Sequence, residues 1–167
     1  MGCRGKDLKN KILRALHFYP CDILFVHRDA EKEPSDRRRE EILLALSALK
    51  RSEPYVCVVP VRMTEAWLLF DEGAIRRASG NRNGKQPLMM PNLPKLEELP
   101  DPKEYLTDLL RHASGLTGRR LKDLNLSHAA SQVALGIGDF SPLRSLSAFR
   151  KLEEELAQVL PLPKVGE

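Results

Sequence analysis

Apolar and polar positions along this chain follow two periods, one helical and one strand-like, and they alternate. Over residues 7–17, Leu8, Ile12, Leu13 and Leu16 recur at helical spacing, which predicts a short amphipathic helix ended by Pro20. Residues 21–26 form an apolar run too short for a helix core, so a buried strand is predicted there. Ser35 is placed to cap a second helix running to about Arg51, with Ile42, Ala45, Leu46 and Leu49 facing inward. Residues 55–61, Tyr-Val-Cys-Val-Val-Pro-Val, read as a second strand, and Pro60 near its end marks an edge or an exit from the sheet.

Strand, helix and strand in succession make a βαβ unit, whose strands run parallel with a right-handed crossover. Their carboxyl ends then lie side by side. Beyond them the pattern is helical. One helix carries Trp67, Leu68, Leu69, Ile75 and Ala78, with a kink expected near Gly73, and Thr64 is its expected cap. Residues 79–94, rich in Gly, Asn and Pro, read as a loop. Asp101-Pro102-Lys103-Glu104 is a helix start, for a helix burying Tyr105, Leu106, Leu109, Leu110 and Ala113. A weaker helix is predicted over 127–137. A last helix opens at Ser141-Pro142, with Leu143, Leu146, Phe149, Leu152 and Leu156 inward. The fold class is therefore α/β: a small parallel sheet flanked by helices, in a single domain over 1–167 whose part from 101 to 167 is mainly helical. Two strands alone make a marginal sheet. Completion by another chain, extra weight on the helices, or a natural start further upstream would each relieve that.

Charge and cysteine content narrow the classes. Lys and Arg number 27 against 23 Asp and Glu, a net charge of +4. That balance allows an anionic partner without demanding one. Cys3, Cys21 and Cys57 are odd in number and lack C-x-x-C spacing, and Cys21 and Cys57 read as small buried hydrophobes in a reducing compartment. The polar, basic residues 1–10 do not read as a signal peptide and no stretch reads as a membrane span, so a cytoplasmic protein is expected.

The candidate chemistry sits at the predicted strand ends. The first strand empties into Asp29 and Glu31, spaced D-x-E; the second is followed by Arg62-Met63-Thr64-Glu65. Open α/β sheets collect ligands outside the carboxyl ends of their strands. Two carboxylates about 5 Å apart repel by roughly 3 kcal/mol at an effective dielectric near 20, a cost that a dication or a shared proton removes. A solvated turn explains the same acids, and a first-turn carboxylate such as Glu65 is favoured by the helix dipole alone. Arg28 and Arg62 stand beside the acids, as phosphate contacts or as their salt-bridge partners. Asp71, across the helix from Glu65, is taken as a structural residue or one that supports the acids from behind. Arg37, Arg38 and Arg39 read as a solvated face, with a nucleic-acid backbone contact as the alternative, and Arg119, Arg120 and Lys122 read the same way. His27 and His112 lack ligand spacing, so zinc is not expected.

Strand-Asp29-x-Glu31, joined across the crossover to Val59-Pro60-Val61-Arg62-Met63-Thr64-Glu65-Ala66-Trp67-Leu68-Leu69-x-Asp71, resembles the uncharacterised bacterial Toprim-like proteins. These are related to Toprim domains of topoisomerases and primases and to OLD-type and RloB-type nucleases. The resemblance is best over residues 22–71, with Ala78-Ser79-Gly80-Asn81 and Leu99-Pro100-Asp101-Pro102-Lys103 also similar. It implies a magnesium ion, or manganese, held by Asp29, Glu31 and Glu65. It implies Glu65 and Asp29 as the catalytic pair, Arg28 and Arg62 on phosphate, and hydrolysis of nucleic-acid phosphodiesters. The family pattern also has an N-terminal strand followed by a glutamate, which this sequence lacks. A non-catalytic interaction module keeping the fold, dimerising through an exposed sheet edge, is the alternative; a flavodoxin-like small-molecule binder is a third.

Overall fold

The computed structural model describes residues 3–49 and 53–160, and in 3–7 the backbone alone. In chain order the elements are α1 (Cys3–Phe18), β1 (Leu24–His27), α2 (Ser35–Ser47), β2 (Tyr55–Val58), α3 (Glu72–Ala78), α4 (Pro102–Ser114), α5 (Gly118–Lys122), α6 (Leu126–Gly136) and α7 (Ser147–Val159). Turns of 3-10 helix lie at Thr64–Leu68, Leu93–Glu98 and Ser141–Ser145. The fold is α/β with a two-stranded parallel sheet and mostly helical content. Its contacts gather into two compact units, residues up to 61 with those from 148 onward, and residues 62–147.

In the first unit, β1 and β2 pair in parallel with Leu24 opposite Tyr55 and His27 opposite Val58. Pairing outlasts the strands. Leu24 N–H donates to the Pro54 carbonyl at 2.9 Å, Arg28 N–H to Val58 at 2.9 Å and Ala30 N–H to Pro60 at 3.1 Å. Pro60 thus serves the ladder as an acceptor, which a residue without an N–H can still do. Val26 and Cys57 pack against Ile12 and Leu16 of α1 and Ile42 and Ala45 of α2. Each large aliphatic chain buried there contributes roughly 1.5–3 kcal/mol.

The outer edge of β2 is closed by a side chain. Alternate β2 residues turn their N–H away from β1, and that of Cys57 donates to Glu155 of α7 at 2.8 Å. Glu155 is buried and its carboxylate also pairs with Arg39. That bond satisfies one outward N–H of the β2 edge and removes it as a donor for further pairing. Burial raises the Cys57 thiol above its usual range.

Several sequence expectations need correction here. Pro34, without a side-chain cap bond, precedes α2, and Ser35 is already helical. The expected end at Arg51 lies outside the described residues, as does the Cys3 side chain. Cys21 is exposed rather than buried, because β1 begins three residues after it. Arg38 is not on a solvated face: it is 4% exposed. Its place one turn before Ile42 puts it on the inward side of α2.

The second unit packs α3, α4 and α6 on one another, with Ala74, Ile75, Leu106, Leu110, Ala113 and Val133 fully or almost fully buried. Asp101 caps α4 as its sequence predicts, accepting from Glu104 N–H at 2.8 Å with Pro102 in the first turn. Gly115 ends α4 at φ +65°, a left-handed conformation that costs glycine little. The single kinked helix expected after Glu65 is instead a 3-10 turn followed by α3. Asp71 starts α3 by accepting from Ala74 N–H at 2.8 Å. Its structural assignment is supported by that bond.

Candidate functional site

The acids of the D-x-E pair stand immediately past β1. Because Arg28 and Ala30 still bond to β2, Asp29 lies on an extension of the strand. Side chains alternate there, so Asp29 shares its face with His27 rather than with Arg28. His27 Nε2 approaches Asp29 Oδ1 at 3.3 Å. The strand then turns: Glu33 N–H bonds back to the Ala30 carbonyl at 3.0 Å. Glu31 occupies this turn at φ +56°, a left-handed conformation uncommon for residues other than glycine.

The turn brings the Glu31 carboxylate to α2. Glu31 Oε2 lies 3.7 Å from Arg38 Nη2. Arg38 in turn donates through Nη1 to both carboxylate oxygens of Glu41 at 3.2 Å. Arg28 Nη1 reaches the same Glu41 at 3.0 Å. Two guanidinium groups therefore converge on one carboxylate, with Glu31 on the far side of Arg38. Partial burial makes these pairs stronger than exposed ones, although one carboxylate shared by two cations gains less than two separate pairs would.

The arginine run at the start of α2 is neutralised residue by residue, which offsets the unfavourable helix dipole. Arg37 pairs with Glu33, Arg38 with Glu41 and Arg39 with Glu155. Asp36, favoured at this end of the helix, binds Lys151 at 2.6 Å. That hydrogen bond and its charge hold the Asp36 carboxyl below the usual aspartate range.

The remaining candidates belong to the second unit. Arg62 has φ +66°, the other non-glycine residue in the left-handed region among the described residues. Glu65 sits in the first turn of the Thr64–Leu68 3-10 helix, partly buried, and Thr64 is inside that turn with Met63 as its cap position. Within the first unit, then, the structure joins Glu31, Arg38, Glu41 and Arg28 into one network and joins Asp29 to His27. Among the described residues no group of three or more His, Cys, Asp or Glu gathers as metal ligands. The part missed by sequence reasoning is Arg38 and Glu41. Their signal was present: Arg38, Ile42 and Ala45 share one helical face.

Comparison of the chain with protein-family models, with curated proteins and with solved structures gives no match. The residues and their geometry are what bear on function.

Proposed function

We propose that the βαβ segment of the first unit is a Toprim-like module that binds magnesium, or manganese, at Asp29 and Glu31 and acts on nucleic-acid phosphodiesters. The observation that favours this reading is the delivery of both acids just past the carboxyl end of a parallel strand, with Glu31 held in a left-handed backbone. Such strain of about 1–3 kcal/mol persists where the surroundings over-determine it, and it concentrates at functional sites.

The donors suit the ion in kind. Magnesium takes hard oxygen ligands, commonly one or two carboxylates, with water and phosphate completing the shell. Asp29 is partly exposed and Glu31 largely so, which leaves both reachable from solvent. An ion bound there would stabilise charge on phosphoryl oxygens and activate water. Arg28 would steady a phosphate oxygen by exchanging part of its hold on Glu41. Roles for Glu65 and Arg62 rest on the resemblance alone.

The test is cleavage of supercoiled plasmid and of short single-stranded DNA and RNA with magnesium or manganese present. The reading expects cleavage that Asp29→Asn reduces by roughly a hundredfold or more while the circular dichroism spectrum is unchanged. No cleavage with either metal, or full cleavage by Asp29→Asn, contradicts it.

A second reading, a non-catalytic interaction module, is favoured by the separate partners of the two acids, the His27 imidazole for Asp29 and the Arg38 guanidinium for Glu31. It expects no nuclease activity and a homodimer formed through the sheet edge at β1. There Phe25 is 53% exposed, and its backbone groups turn away from β2. Light scattering would then show a dimer that Phe25→Lys converts to monomer; a monomeric wild type opposes this reading.

A further inference from the structure

A groove on the second unit, independent of the strand-end acids, has the construction of a docking site. Its floor is one face of α4, where Tyr105, Leu109 and His112 follow at helical spacing. Its wall is the loop that precedes α4, and the wall is pinned. Tyr105 Oη donates to the Met89 carbonyl at 2.7 Å, and His112 Nε2 lies 3.1 Å from the Pro87 carbonyl. The Gln86 amide donates to the carbonyls of His112 and Ala113 at 2.9 and 2.8 Å, and Asn81 to that of Ala113 at 3.0 Å. These bonds occupy carbonyls at the C-terminal end of α4 and hold the loop at a fixed height above the helix.

Two hollows result. One of about 250 Å³ is lined by Met89, Tyr105, Asp108, Leu109 and His112. The adjoining one, about 590 Å³, extends past Arg111 to Leu116 and Leu121. Met89 stands at the lip, 82% exposed. An exposed, adaptable thioether beside aromatic and leucine walls is suited to gripping apolar side chains.

The rim decides which apolar partner fits. Arg111, Arg119, Arg120 and Lys122 border the larger hollow or lie on α5 beside it, against Asp108 and Asp123. Arg111 pairs with Asp108 at 2.9 Å, while Arg119 reaches Asp123 only at 3.9 Å and is itself 95% exposed. Arg120 and Lys122 make no ion pair among the described residues, and α5 buries no residue at all. Arg111 and Asp108 are the charged residues lining the larger hollow, and the exposed α5 cations beside it leave an excess of positive charge to offer.

We propose that this groove binds an acidic peptide segment bearing bulky apolar side chains. The apolar groups enter the hollow beneath Met89 and the carboxylates meet Arg111 and the α5 cations. Single-stranded nucleic acid shares the charge but suits the groove less. Tyr105, the aromatic ring in the smaller hollow, is tied to the wall by its hydroxyl and is not free to stack on a base.

Random phage-displayed peptides panned on the full chain test this directly. Enriched sequences should combine Asp or Glu with at least two bulky apolar residues. A fluorescent copy of the best one should lose affinity roughly tenfold or more, about 1.4 kcal/mol, in Arg119→Glu/Arg120→Glu and again in Met89→Glu. These positions are exposed, so the variants should keep the wild-type melting temperature. Affinity should also fall with added salt. Enrichment of neutral or basic peptides, no enrichment, affinity indifferent to both variants, or tighter binding of labelled oligothymidylate through the same residues would each overturn the proposal.

Discussion

Replacing Glu155 by alanine is expected to cost far more than any other change on the α7 surface. Its carboxylate accepts the Cys57 N–H at 2.8 Å and pairs with Arg39, across 98 residues in the first case. A hydrogen bond to a charged group contributes about 1.5–3 kcal/mol net, and a buried N–H left without an acceptor costs about 1–3 kcal/mol. These two figures describe one bond and are not summed. Arg39 is 30% exposed and regains water, so its loss adds little. Glu155→Ala should therefore destabilise by about 1.5–3 kcal/mol. Glu155→Gln keeps an acceptor for Cys57 and gives up only the charge, so about 1 kcal/mol is expected. Exposed Glu154→Ala is the control, within about 0.5 kcal/mol of wild type. Urea titrations followed by circular dichroism would measure all three. If Glu155→Ala lies within 0.5 kcal/mol of wild type, or Glu155→Gln is as damaging as alanine, the edge-capping role is wrong.

Three further outcomes are expected. Asp101→Ala should cost about 1 kcal/mol by removing the cap on Glu104 N–H, read from the urea midpoint, while Asp101→Ser should recover most of it. Asp36 has a carboxyl pKa depressed by Lys151, so its stabilisation is complete above the unfolded value near 3.8 and disappears as pH falls through the lower folded value. Lys151→Met should then narrow the stability difference between neutral and acid solution, and an unchanged difference would contradict the pair. Glu31→Gly should leave stability unchanged or raise it by up to about 1 kcal/mol, and Glu31→Val should lower it by about 1–2 kcal/mol, because only glycine holds a positive φ without steric cost.

How much of this was legible beforehand follows from what each signal depends on. The two strands, their parallel order and the α4 cap come from local periods and cap residues, which report on the nearest few positions. The Asp29–Glu31 placement beyond β1 came the same way. The split between the Thr64–Leu68 turn and α3 was hidden, because apolar spacing continues across Leu69 while the Asp71 side chain restarts the helix locally. α5 went unread because five residues that bury nothing carry no apolar face. The hardest features were charged groups turned inward. Arg38 was assigned to solvent with its neighbours although its helical position faces Ile42. Glu155 became an edge cap through partners nearly a hundred residues away or more, a relation no local pattern encodes. The left-handed turn at Glu31 was also invisible, since nothing in Ala-Glu-Lys-Glu demands it.

Calorimetric titration of magnesium into the full chain tests the strand-end reading most directly. Binding should be seen in the wild type, be lost in Asp29→Ala and weaken in Glu31→Gly, with melting temperature rising on magnesium addition in the wild type and not in Asp29→Ala. No heat of binding, or identical binding in Asp29→Ala, would contradict a metal site at these acids.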